Sequence, residues 1–211
     1  MGDVSESREY PGEALAAHLR KVIGVATRRN REGIRSPLTV TLGDEFQGIV
    51  RSLSDGVRII LSLEQALLED PLRVDGDACP YRFRYVLHEG IVESPVNPEI
   101  AHNMLGPGLT RARELLTEPG RSRPHYRIDI GNPTVGARLE RLFFVYESLR
   151  SDWSSKDFSL ICALLEDDDD AAVAERFNRH RTTILRRRVS LKIREYQVLQ
   201  SLLREISEDA E

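Results

Sequence analysis

Two β-prone runs, Leu38-Thr39-Val40-Thr41-Leu42 and Ile49-Val50, stand on either side of Gly43-Asp44-Glu45-Phe46-Gln47-Gly48, and no other stretch constrains the chain as much. Alternation before the first glycine and Gly-Asp turn chemistry read as two strands joined at an acidic turn. Adjacent carboxylates repel, and a glycine on each side lets another group come close to the backbone. The stretch therefore fits either an ordinary acidic hairpin or a site for a divalent cation or a metal-bound phosphate. Gly43, Asp44 and Glu45 are candidate nucleotide-binding residues, and Asp44 and Glu45 are candidate metal ligands.

Around this hairpin the pattern alternates between helix and strand. Residues 12–31 place Leu15, Leu19, Val22, Ile23 and Ala26 on one helical face, and Pro37 closes the loop that follows. Ser54 or Asp55 caps a helix reaching Glu69, and residues 71–80 read as a loop. Residues 81–92 alternate as a strand, and Gly106-Pro107-Gly108 opens a helix whose first N–H groups fit an anion. Arg121-Ser122-Arg123-Pro124 reads as loop, residues 126–130 as a strand, and Asn132-Pro133 as the start of a helix to Ser148. That order predicts an α+β sheet domain with helices on one face, spanning residues 1–151.

After Trp153 the strands stop, and residues 152–211 read as a separate all-helical domain. Residues 158–165, 171–177 and 181–203 carry helical spacing, with Asn178 at a turn position that tolerates the left-handed conformation. The five-residue acidic run from Glu166 is followed by eight Lys or Arg between Arg176 and Arg194. A charge run of this kind is usually a solvated helix face. On a helix-turn-helix scaffold it also fits duplex DNA, with Arg181, Thr182, Thr183 and Arg186 towards a major groove and Arg187, Arg188 and Lys192 on phosphates. Arg179 and Arg188 stand where such a scaffold expects apolar residues. The stripe Leu185, Val189, Lys192, Tyr196, Leu199 and Leu203 fits a homodimer formed through one long last helix.

Gly2-Asp3-Val4-Ser5-Glu6-Ser7-Arg8, the 41–48 turn, residues 84–92 and the Gly106-Pro107-Gly108-Leu109-Thr110-Arg111-Ala112-Arg113 segment follow one another in an order that resembles the SatD family. The resemblance runs from the first Gly-Asp to the C-terminal helices. It implies a nucleotide-cyclase-like (ferredoxin-like palm) sheet domain with a C-terminal helix-turn-helix domain. More distantly the chain is similar to class III nucleotide cyclases and diguanylate cyclases. That likeness implies Asp3 as first metal ligand, Asp44 as second and Glu45 as auxiliary, holding Mg²⁺ or Mn²⁺ against a nucleotide. Arg111 and Arg113 supply charge on the following helix but do not align with the cyclase transition-state residues. Asp3 has only Met1 and Gly2 before it, too few residues for a strand that would seat it in mid-sheet.

The 211 residues are 40% apolar and 30% charged, without a run of eighteen apolar residues or a charged-then-apolar leader. Cys79 and Cys162 lie far apart and match no metal spacing, which fits reduced thiols in a cytoplasmic protein with no membrane partner. His18, His102, His125 and His180 show no ligand spacing, and a structural role is expected of His88. The favoured function is a DNA-binding regulator whose sheet domain binds a nucleotide or metal-phosphate ligand. The rival is a metal-dependent nucleotidyl transferase or cyclase regulated by its C-terminal domain, and a protein adaptor is the third reading.

Overall fold

The computed structural model describes residues 1–102, 104–118 and 124–211; the Arg121-Ser122-Arg123 part of the expected loop lies outside them. The elements follow as β1 (Gly2–Val4), α1 (Gly12–Arg29), β2 (Ile34–Leu42), β3 (Glu45–Val50), α2 (Leu53–Glu69), β4 (Arg73–Val74), β5 (Asp77–Ala78), β6 (Phe83–His88), α3 (Pro107–Thr117), β7 (Tyr126–Asp129), α4 (Pro133–Ser151), α5 (Phe158–Glu166), α6 (Asp170–Arg176), α7 (Arg181–Ser190) and α8 (Ile193–Glu208). This is a mixed α+β chain built on a five-stranded sheet of order β2-β3-β1-β6-β7, antiparallel except for the parallel pair β6 and β7. The expected loop at 71–80 contains the small β4-β5 ladder.

The first correction concerns Asp3. Three residues suffice for a strand here, because β1 pairs on both sides: Gly2 faces Phe46 and Tyr85, and Asp3 faces Glu45 and Arg84. Asp3 thus lies in the central strand, held by two ladders rather than by its own length. At the sheet edge, β2 begins before Pro37 and runs through it with register shifts, since an edge strand need not donate from every residue. The turn is also tighter than expected. Only Gly43 and Asp44 lie between the strands, with Gly43 at φ +55°, and Glu45 belongs to β3.

Alternation along β6 distributes the helices. Phe83 and Tyr85 face a core with α1, α2 and α4, whereas Val86 packs with Ala112, Leu115 and Leu116 of α3. The helices therefore cover both faces, not one, because β6 buries side chains on each. On the first face α1 buries the five residues its spacing indicated. Its neighbour α2 is capped by Ser52, one turn earlier than the sequence suggested, which accepts from the Asp55 N–H. Behind α2 and α4 lie α5 and α8, so the apolar core continues without interruption across residues 151 and 152. Stacked rings mark its path: Tyr85 on Tyr126, Tyr126 on Phe143, and Tyr146 on Tyr196, which Trp153 also contacts.

In the C-terminal part α6 ends in a Schellman turn. The Asn178 N–H donates to Glu175 O and the Arg179 N–H to Ala174 O, with Asn178 at φ +49° as its residue type allows. The expected single helix over 181–203 is two helices. Lys192 adopts φ +53°, and the Trp153 indole N–H donates to Leu191 O at 2.9 Å. Tyr196 and Leu203 are fully buried in this chain, while Leu185 and Val189 stand exposed, so the stripe read as one pairing seam is divided.

Candidate functional site

The acidic hairpin and the central strand meet in one row across the sheet. Residues opposite each other in an antiparallel pair share a face, so Glu45, Asp3 and Arg84 lie side by side. Each carboxylate is engaged. Arg84 grips Asp3 with both arms of its fork, Nε to Oδ1 at 2.8 Å and Nη2 to Oδ2, and Asp3 is only 9% exposed. Arg113 of α3 reaches Glu45 Oε2 at 3.0 Å. Further along the same face Asp129 sits 3.0 Å from His88 Nδ1 and 3.5 Å from Arg111 Nε. Asp44 lies half-buried on the turn, its carbonyl accepting from the Val4 N–H.

The residues present do not fit a resident metal. A divalent ion at Asp3 and Glu45 would have to displace two guanidinium groups, one of them bidentate, and the described residues hold no group of three or more His, Cys, Asp or Glu suited to an ion. Arg111 and Arg113, placed by sequence on the nucleotide, do stand over this face. The anion site expected at the start of α3 is filled by protein. The Gly108 N–H donates to Ile91 O, and a Cβ there would come within 2.8 Å of the Gly90 carbonyl carbon. Those glycines serve a close backbone crossing.

Past Met1, residues 48–50 of β3, Leu87 and His88 of β6 and the following Glu89 flank a cavity of about 730 Å³, walled by Leu38, Ile49, Leu63, Leu87 and Ala112. The Met1 amine at its end donates to Val86 O at 2.8 Å, and burial pulls its pKa down to about 6. An engineered extension of four residues ahead of Met1, apolar at alternate positions, should lengthen β1 into this space. A net gain of about 2 kcal/mol raises Tm by roughly 4–8 °C. The pH dependence changes too. The amine binds its proton more weakly folded than unfolded, so the stability of the 211-residue chain rises between about pH 6 and 8. Once the amine is an amide, that slope disappears. Calorimetric melts at pH 6 and 8 check both effects.

The basic C-terminal residues divide into two sets. Arg188 is turned inward: Nε contacts Asp170 Oδ1 at 2.7 Å, while Nη1 and Nη2 donate to Leu164 O and Asp167 O at 2.8 Å. It satisfies carbonyls left open where α5 ends, which is why an arginine occupies an apolar-type position. Arg187 pairs with Asp157, and Lys192 with Asp152 at 3.3 Å. The acidic run is likewise structural in part, since Asp169 caps α6. Arg181, Thr182, Thr183 and Arg186 form an outer face of α7, exposed, and neither arginine is in an ion pair among the described residues. His180 caps this helix by accepting from the Thr182 N–H.

Sequence reasoning missed the most buried charge. Glu64 of α2, 1% exposed, accepts from the Tyr85 hydroxyl at 2.7 Å and pairs with Arg150 at the end of α4. Burial first, and the Glu64 charge second, raise the Tyr85 pKa well above its ordinary value, so the hydroxyl remains a donor. The signal was available: α2 turns only the stripe of Arg58, Ser62, Gln65 and Glu69 towards water, and helical spacing puts Glu64 about a third of a turn away from it. His18 is also less peripheral than its spacing suggested, bonded to Tyr81 and to Asp70 O. No helix among the described residues is long and apolar enough to cross a membrane. Neither family models, nor curated proteins, nor solved structures match the chain.

Proposed function

We propose that this chain is a DNA-binding regulator whose sheet, a palm of the nucleotide-cyclase kind, receives a nucleotide or metal-phosphate ligand at the acidic hairpin. The observation that carries the reading is the outer face of α7. Two arginines that are in no ion pair among the described residues and two threonines project from a short helix preceded by a helix and a turn, an order of elements that supports a helix-turn-helix reading. Arg181, Thr182, Thr183 and Arg186 are the contacts assigned to DNA. Arg188 positions α7, and Arg187 and Lys192 are secondary phosphate contacts, held at present by the half-buried Asp157 and the exposed Asp152.

The sheet supports the ligand half of the proposal. A central strand carrying Asp3 beside a hairpin carrying Asp44 and Glu45 is what a palm-like nucleotide site requires, with Arg111 and Arg113 as countercharge for phosphates. A metal in such a ligand arrives with the phosphates. Regulation is favoured over transfer because Asp3 and Glu45 are each committed to an arginine, whereas two-metal transfer needs carboxylates turned to the cations. Calorimetric titration with ATP and GTP, with and without Mn²⁺, is expected to show binding that Asp44→Ala and Glu45→Ala weaken at least tenfold. Turnover abolished by Asp44→Ala would overturn the regulator in favour of the transferase.

A further inference from the structure

We propose that the cavity past Met1 is a strand-binding slot that takes an extended segment of a partner protein, acidic and then apolar along its length. The interaction is independent of the readings of the hairpin and of α7. Two walls of the slot are polar backbone, as alternation along the flanking strands requires. On the β3 side the Asp44 carbonyl accepts from the Val4 N–H of β1, whereas the Arg51 N–H donates to Gly33 O next to β2, so even-numbered residues turn their N–H and C=O towards β1. On the β6 side the Tyr85 and Glu89 N–H groups donate to His125 O and Asp129 O beside β7, while Val86 exchanges bonds with Met1. The β1 ladders stop at Gly2, and Met1 reaches no further than Val86. Gly48, Val50 and His88 therefore aim their backbone groups into the cavity, and among the described residues no strand lies between β3 and β6 there.

The other two walls are apolar, Ile59, Ile60 and Leu63 of α2 facing Leu109 and Ala112 of α3. A purely apolar ligand would leave the backbone groups of the first two walls unpaired, whereas an extended peptide satisfies all four. Antiparallel pairing to both neighbours, the more stable kind, gives the segment the direction of β1. Consecutive residues then face α2 and α3 in turn, so a run of about four is apolar throughout. Its N-terminal end emerges beside Arg35 and Arg51, both exposed and in no ion pair among the described residues. The two carboxylates that also line the cavity are engaged, Glu89 by the Gly131 N–H and Glu211 by the Ser54 N–H. The free charge at this end is thus positive, which selects acidic residues ahead of the apolar run.

The test is fluorescence anisotropy of a labelled, amide-capped peptide, Asp-Asp-Val-Ile-Val-Ile, titrated with the 211-residue protein. Saturable binding is expected, and N-methylation of the two valines should weaken it at least tenfold, because interior amides of a central strand donate to its neighbours. Arg35→Glu/Arg51→Glu should weaken it at least fivefold, and lysines in place of the two aspartates should recover that loss. The chain carrying an apolar extension ahead of Met1 fills its own slot and should not bind. Absence of saturable binding, an N-methylated peptide that binds as the parent does, or displacement of the peptide by decanoate, an apolar chain without a peptide backbone, overturns the proposal.

Discussion

Replacing Arg150 by methionine is expected to cost about 3–5 kcal/mol of folding stability. Methionine fills much of the same space, so little of that cost is a cavity. It comes from Glu64, which at 1% exposure would be left with the Tyr85 hydroxyl as its remaining partner. Urea unfolding followed by the fluorescence of Trp153, the chain's one tryptophan, measures it. Adding Glu64→Gln to Arg150→Met should restore part of the loss, because the buried group is then neutral and can still accept from Tyr85. A double variant no more stable than Arg150→Met would mean that the pair matters for packing and not for charge.

The second large effect separates two neighbouring arginines of α7. Arg188→Ala is expected to destabilise by about 2–3 kcal/mol, because the Leu164 and Asp167 carbonyls lose their donors and Asp170 its partner. Arg186→Ala should stay within about 0.5 kcal/mol of the parent, as an exposed side chain without a partner among the described residues. The order reverses in DNA binding. Arg186→Ala weakens it in the fully folded protein, whereas Arg188→Ala weakens it only as far as α7 loses its support. Urea melts paired with duplex titrations of the two variants distinguish a contact from a brace, and equal stability of the two would contradict the division.

Periodicity disclosed what depends on one element alone. The buried face of α1, the hairpin at Gly43-Asp44 and the left-handed Asn178 were legible because spacing or local turn chemistry decides each. Features decided by neighbours were not. Three residues around Asp3 show no period of two, and their strand exists because β3 and β6 flank it. No glycine or proline interrupts residues 181–203, so the break at Lys192 follows from packing against Trp153 and not from propensity. Arg188 reads as one of eight basic residues until the open end of α5 is placed beside it. In the candidate site, sequence located Asp3, Asp44, Glu45, Arg111 and Arg113 but not the pairing that neutralises Asp3 and Glu45. Charge partners 81 and 68 residues apart have no local signature.

DNA binding by α7 is the central claim, and the most direct measurement is fluorescence anisotropy of a labelled random-sequence duplex of about 24 base pairs, titrated with protein at several salt concentrations between 50 and 200 mM, roughly the range over which counterion release is large. The wild type is expected to bind with log Kd rising linearly with log salt, and Arg181→Ala/Arg186→Ala to bind at least tenfold more weakly with a slope reduced by about 1 to 2. A wild-type protein that shows no salt-dependent association at 50 mM salt, or a double variant that binds as the wild type does, would contradict the account.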